Sequence, residues 1–275
     1  MVAKVPAAGV DLDGAITINE SSASVDFRVE SNGETHALFV DASADAVCIN
    51  TDTHDTGPLV VQTGNTHATA MTVQSTGHTQ IMLKDTDASS NDKYWGLQVS
   101  GGDFNILTCD DDKASNFLTP ISIGQAGAVT KPLQPSFRVL SADMNNVTRN
   151  QYNTVTFNSE LFDIGSNFNT STYTFTAPVT GKYMLCAQIL FQDLDGAGGD
   201  YIGVRLETSN HGYWDHLYTV SGLDSDINYY PVQIANVYDM DASDTAYVRF
   251  YVNGGSGDQV DVNSGATVFS GILIG

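Results

Sequence analysis

Along this chain the apolar residues tend to alternate with polar ones in short runs, and turn-forming residues break the runs at roughly ten-residue intervals, the pattern of an all-β protein. Val25-Asp26-Phe27-Arg28-Val29-Glu30 alternates, and Asn32-Gly33, the strongest short hairpin signal, follows it. His36-Ala37-Leu38-Phe39-Val40 and Ala46-Val47-Cys48-Ile49 come next, after a shorter strand pattern at Ala15-Ile16-Thr17-Ile18. Further on, Thr172-Tyr173-Thr174-Phe175-Thr176 sets two aromatics on one face and three threonines on the other. Lys182 to Phe191 is too continuously apolar for a half-exposed strand and predicts a central one, as does the terminal Val268-Phe269-Ser270-Gly271-Ile272-Leu273-Ile274, expected to be buried on both faces. Tyr247-Val248-Arg249-Phe250-Tyr251-Val252 is another strand. No stretch of about ten residues carries helical periodicity.

The runs differ in the two halves. Residues 25–130 hold short strands with few large side chains, too few for a lone chain to bury a stable core. Three chains sharing one axial core would meet that need, so this part predicts an intertwined β-rich stalk. A weak echo runs through it: Thr35-His36-Ala37, Thr66-His67-Ala68 and Gly77-His78-Thr79 each precede an apolar run, at unequal spacing. Pro132 and Pro135 mark a boundary within 128–136, and residues 135–275 have longer, more aromatic strands. The organisation expected is an attachment segment at 1–24, the stalk at 25–130 and a knob at 135–275.

Composition sharpens this. The chain has 275 residues and a net charge of −21, yet charged residues are only 16%. Residues 1–134 carry 6 basic and 17 acidic groups, and residues 135–275 carry 5 and 15, so the acidity is spread evenly. Such a surface excludes nucleic acid as a partner and disfavours anionic membranes. Three cysteines, Cys48, Cys109 and Cys186, imply neither a disulfide framework nor a zinc site, and Cys186, inside an apolar run, is expected in the core. Met1-Val2-Ala3-Lys4-Val5-Pro6 opens no apolar stretch of signal-peptide length, which predicts synthesis in a cytoplasm.

The C-terminal half resembles the globular heads of complement C1q and its relatives among the tumour-necrosis-factor-like jelly rolls. Phe137 and Val139 fit the first strand, and Val155, Phe157 and Asn158 the second. Tyr173, Phe175, Ala177-Pro178, Gly181 and Tyr183 match an aromatic strand and a Pro-x-x-Gly-x-Tyr turn, and Phe269-Ser270-Gly271-Ile272-Leu273 the closing strand. The resemblance implies a ten-stranded jelly roll that trimerises and binds rather than catalyses. No collagen-like stalk precedes it, Ser243-Asp244 replaces the family's Gly-Asp, and Asp193 to Asp226 aligns with nothing. The N-terminal half resembles strand repeats of virion fibre proteins from tailed bacteriophages, through Phe27 to Ala42, Leu83-Lys84-Asp85-Thr86-Asp87, Tyr94-Trp95-Gly96-Leu97 and Gly101 to Ile106. Together these imply a virion-surface fibre or head or tail appendage, a homotrimer joined to capsid or tail proteins through its N-terminus.

Recognition chemistry concentrates in His211, Tyr213, Trp214, Asp215, His216 and Tyr218, joined by Tyr229 and Tyr230. Aromatic faces stack on sugars and acids bond their hydroxyls, so these are the candidates for a host glycan or protein receptor; the alternative packs them between protomers. Asp193, Asp195 and Asp200 lie in a Gly-rich loop with the oxygen donors and turns that calcium favours, although the EF-hand register is absent, and a solvated hairpin loop is the plainer reading. Asp110-Asp111-Asp112 reads as a solvated turn. His36, His67 and His78 could meet their copies on a threefold axis around a metal. Glu160 and Glu207 stand out as rare glutamates, the pair a glycosidase reading would need. The expectation is a non-enzymatic adhesive fibre, with no cofactor other than candidate calcium. The alternatives are a purely structural trimer clamp or decoration protein without receptor and a secreted C1q-like lectin.

Overall fold

The computed structural model describes residues 24–52, 59–61, 71–113, 116–194, 201–211, 216–221, 227–254 and 259–275. It is all-β, with no helix among these residues. The chain forms two compact units, 1–79 and 80–275.

In the first unit, β1 (Phe27–Val29), β2 (Leu38–Asp41), β3 (Ala46–Ile49) and β4 (Leu59–Val61) form one sheet in that order. The first three are antiparallel and β4 joins β3 in parallel. Buried Phe39, Ala46 and Cys48 form a small core. Asn32-Gly33 does not make a two-residue hairpin turn. Val29 pairs with Leu38, so the connection is a longer loop, closed by the Ser31 N–H donating to the Glu34 carbonyl at 2.8 Å.

The second unit opens with an antiparallel meander: β5 (Thr79–Lys84), β6 (Tyr94–Ser100), β7 (Asp103–Cys109), β8 (Leu118–Ile123) and β9 (Val129–Thr130). Gly101 and Gly102 turn β6 into β7 with φ of +61° and +95°, the two positive values a tight hairpin turn needs. On one face Tyr94, Leu107 and Cys109 are buried. Gly96 lies there too; a Cβ on it would stand 2.8 Å from both Met82 and Leu107. The other face carries Ile81 and Leu83, Trp95, Leu97 and Val99, Phe104 and Ile106, Ile121 and Ile123, and Val129 from successive strands. Most of these are exposed, and no charged side chain stands among them.

The rest of the unit is a two-sheet jelly roll. One sheet contains β10 (Ser136–Ser141), β11 (Met144–Thr148), β13 (Phe157–Ile164), β16 (Gly181–Leu194), β19 (Ile227–Met240), β21 (Gln259–Val262) and β22 (Val268–Leu273). The other contains β12 (Tyr152–Thr154), β14 (Phe168–Asn169), β15 (Thr174–Thr176), β17 (Tyr201–Thr208), β18 (His216–Thr219) and β20 (Thr245–Val252). The β11–β21 pair continues the β10–β22 pair along the first sheet, and β12 follows β15 beside β20 in the second. Each sheet is therefore five strands across, matching the ten-strand expectation.

The inner faces make one core. Phe137 packs against Phe175 at 4.7 Å, Phe269 at 4.9 Å and Phe168 at 5.3 Å between ring centroids. The Pro178-to-Tyr183 turn is closed by the buried Tyr183 hydroxyl, which donates to the Val179 carbonyl at 2.7 Å. Gly271 is required where it stands, because a Cβ would lie 2.5 Å from Phe137 and 2.6 Å from Leu185. Tyr173 leaves the predicted five-residue strand: with φ of +60° it belongs to a turn, and the strand begins at Thr174.

Two core expectations are corrected. The β16 and β22 strands are central but buried on one face. Tyr183, Leu185, Ala187, Ile189 and Phe191 point inward, while Met184 is 42% exposed and Ile272 44% exposed on the outer side. Cys186 lies on that outer face, half-buried, rather than in the core. A two-sheet sandwich offers each strand one dry face, so a continuously apolar run leaves its alternate residues outside.

Candidate functional site

Among the described residues, the predicted recognition residues fall at separate places along β17, β18 and β19. Tyr213, Trp214 and Asp215 lie outside the described residues. His211 forms an isolated bridge with Thr208 at the end of β17, its ring edge-on to Tyr238 at 5.8 Å. His216 pairs with Val204, four residues back along β17, on the order of 13 Å away. There the Tyr218 hydroxyl donates to the Gln233 carbonyl at 2.6 Å, and His216 Nδ1 lies 3.1 Å from the same oxygen. Gln233 in turn donates to Gln188 Oε1 at 2.5 Å. These bonds tie the β18 edge of one sheet to β19 of the other. Beside them an open depression of about 480 Å³ is lined by Cys186, Gln188, His216, Gln233, Val268 and Ser270. Burial pushes the Cys186 thiol above its ordinary pKa, which keeps it protonated and weakly nucleophilic at neutral pH. Tyr229 and Tyr230 pair with Gln192 and Phe191 on β16; Tyr229 is exposed, whereas Tyr230 packs on the core.

The metal candidates are partly outside the described residues, as Asp195, Asp200 and His67 are. Asp193 has a left-handed backbone, φ +51°, at the end of β16. His36 stands edge-on to Phe39 at 5.1 Å. Asp111 of the three-aspartate run is half-buried and pairs with Lys93 at 3.3 Å. Among the described residues no group of three His, Cys, Asp or Glu side chains could hold a metal ion.

Glu160 and Glu207 stand on different sheets, in β13 and β17. Glu207 belongs instead to a cluster that the sequence reading did not assemble, on the outer face of the second sheet. Arg205 and Arg249 are directly opposite across β17 and β20, a repulsive arrangement when nothing compensates it. Glu207 Oε2 compensates both, 2.5 Å from Arg205 Nη2 and 3.3 Å from Arg249 Nη1. The Tyr152 ring, brought in by β12, lies 4.7 Å from the Arg205 guanidinium and 5.0 Å from that of Arg249. Tyr251 packs against Tyr152 at 5.6 Å and stacks on Tyr201 at 5.9 Å. Burial, then the hydrogen bond to Glu207, push the Tyr247 hydroxyl above its ordinary pKa and hold it as a donor. Members come from positions 152, 205 and 249, so no local motif announces them. The available signal was the alternation in Tyr247-Val248-Arg249-Phe250-Tyr251, which puts both tyrosines and the arginine on one face.

No protein-family model matches the chain, and no curated protein matches it. Solved structures do resemble about half of it. The globular domain of zebrafish complement 1qA protein is 22% identical, covers 52% of this chain and 98% of its own, and has a TM-score of 0.38. Murine APRIL at pH 8.5 is 14% identical over 51% of this chain and 99% of its own, with a TM-score of 0.35. The TNF protein Eiger from S. frugiperda is 12% identical over 52% and 93%, with a TM-score of 0.39. The fold description rests on the strand pairing given above.

Proposed function

We propose that the protein is a non-enzymatic homotrimer, a virion fibre or surface appendage whose C-terminal jelly roll is a knob that holds a host-surface glycan or protein. The observation that carries the self-association is a pair of open apolar sheet faces. One is the uncharged face of the β5–β9 meander. The other is the outer face of the first jelly-roll sheet, where Val237, Met184 and Ile272 form one cross-strand row above Ala235, Cys186 and Ser270. A chain of charge −21 that keeps the meander face uncharged, and keeps this row of the jelly-roll face apolar between Arg138 and the Lys182–Asp239 ion pair, has a place for copies of itself, since apolar burial stabilises by about 25 cal/mol per Å². Three copies closed by a threefold axis would cover both faces and leave no open end.

In this reading residues 1–24 attach the trimer to the particle, the 25–130 segment is the stalk and 135–275 the knob. Receptor contact falls to the β18–β19 edge, where His216, Tyr218 and Tyr229 are partly or fully exposed. Three sites per knob would add weak contacts into avidity. A second reading, a knob that only clamps the trimer, draws support from the Tyr218 hydroxyl and His216 Nδ1, which both turn to the Gln233 carbonyl.

The test is native mass by light scattering, with and without a calcium chelator. A mass near three times the 29.4 kDa chain is expected, and a stable monomer would overturn the reading. A chelator-sensitive mass would assign calcium to the Asp193–Asp200 loop, and an insensitive one would remove calcium from the assembly.

A further inference from the structure

We propose that the Arg249–Tyr152 cluster on the outer face of the second jelly-roll sheet is a binding site for a carboxylated sugar, a uronic acid or a related acidic pyranose. This goes beyond the adhesive reading. It concerns the outer face built by β12, β17 and β20 rather than the β18–β19 edge, and it holds for a monomer as well as a trimer.

The argument begins with what Arg249 does with its donors. A guanidinium carries five N–H groups in a rigid planar fork. Among the described residues, one Arg249 nitrogen, Nη1, finds an acceptor, the Glu207 oxygen it shares with Arg205. Its Nε is buried and has no hydrogen-bond partner among the described residues. Nε lies too deep for a ligand to meet, so a ligand's oxygens would come to the outer end of the fork, where Nη1 is held by Glu207 and Nη2 has no acceptor among the described residues. The side chain is 25% exposed, so its fork can still be reached from solvent.

The chemistry of the ligand follows from the surroundings. Backbone N–H groups of β17 and β20 are committed to their ladder over Ile202–Thr208 and Ala246–Val252, so an anion must be held by side chains. An arginine fork matches a planar carboxylate through two parallel N–H···O bonds. The neighbouring floor is aromatic: Tyr152, 46% exposed, lies against Tyr251, which stacks on Tyr201. Aromatic faces accept the C–H face of a pyranose ring. An isolated inorganic anion would use the fork and leave the rings idle; a neutral sugar would use the rings and leave the fork idle. A carboxylate on a sugar ring uses both.

Saturation-transfer NMR on the full chain tests this with glucuronate as probe and glucose and acetate as controls. Glucuronate should show transfer to its ring protons and glucose none, and acetate should compete weakly. Arg249→Gln leaves Arg205 with Glu207 as a one-to-one pair, so the fold should keep its melting temperature while glucuronate affinity falls about tenfold or more. Tyr152→Leu should weaken glucuronate by a similar factor and leave acetate unchanged. Equal signals from glucose and glucuronate, or unchanged glucuronate affinity in folded Arg249→Gln, would overturn the site. If Arg249→Gln unfolds, Tyr152→Leu decides the matter in the same two directions.

Discussion

Asp244 shows how one side chain sets a loop and, with it, a pH response. Its carboxylate accepts from the Ser209 hydroxyl at 2.6 Å, the Asn210 amide at 2.5 Å and the Asp241 N–H at 2.8 Å, clipping the turn before β20 to the end of β17. These bonds favour the charged form and lower its pKa below 3.8, the Ser209 hydroxyl contributing most. A lowered folded-state value means stability that is present above the unfolded value and lost as pH falls through the folded one. Asp244→Asn should therefore lower the melting temperature at pH 7, with the gap to the parent closing as pH drops below 3.8. Thermal melts across that range check it, and a pH-independent gap would refute the assignment. The residue was visible in the sequence only as a departure, Ser243-Asp244 where the similar heads have Gly-Asp. Asp241 lies in its own turn, but Ser209 and Asn210 follow the end of β17 more than thirty positions back, which spacing could not supply.

At the scale of elements, alternation was legible and the state of the second face was not. Tyr183 to Phe191 alternates inward and outward with period two, yet nearly every residue is apolar, so the sequence alone suggested burial on both sides. In the meander, too, Trp95, Leu97 and Val99 share a bare face. If these faces pack against copies, a single carboxylate within either must separate them, because an ion buried without a partner costs several kcal/mol. Val237→Asp and Leu97→Asp should each raise the trimer dissociation constant by about a hundredfold or more while keeping the β circular-dichroism spectrum. A trimer that survives Val237→Asp at dilute concentration would remove the jelly-roll face from the contact, and survival of Leu97→Asp would do the same for the meander. Strand ends were less legible. Asn32-Gly33 looked like a tight hairpin, but the β1–β2 register placed it within a longer loop.

For the whole molecule, charge and apolar faces act in opposite directions. Each chain carries −21, so copies repel, and salt shortens the range of that repulsion to about 8 Å at physiological strength. Apolar contact is not weakened by such salt. Association should therefore tighten as sodium chloride rises from about 20 to about 500 mM. Sedimentation at several concentrations measures this; a trimer that loosens with salt would mean that ion pairs, rather than apolar faces, hold it.

Composition and periodicity by themselves determined the all-β class, the evenly acidic charge and where several of the main strands run, while the jelly roll was expected only through the resemblance of the C-terminal half. Those follow from properties each residue carries locally: β-propensity, turn preference and period-two burial. Only the tertiary structure decided which apolar face stays open, why Gly271 must lack a side chain, and that Tyr152, Arg205, Glu207 and Arg249 meet. These depend on cross-strand neighbours as far apart in the chain as Phe137 and Gly271, and strand register, not sequence spacing, chooses them.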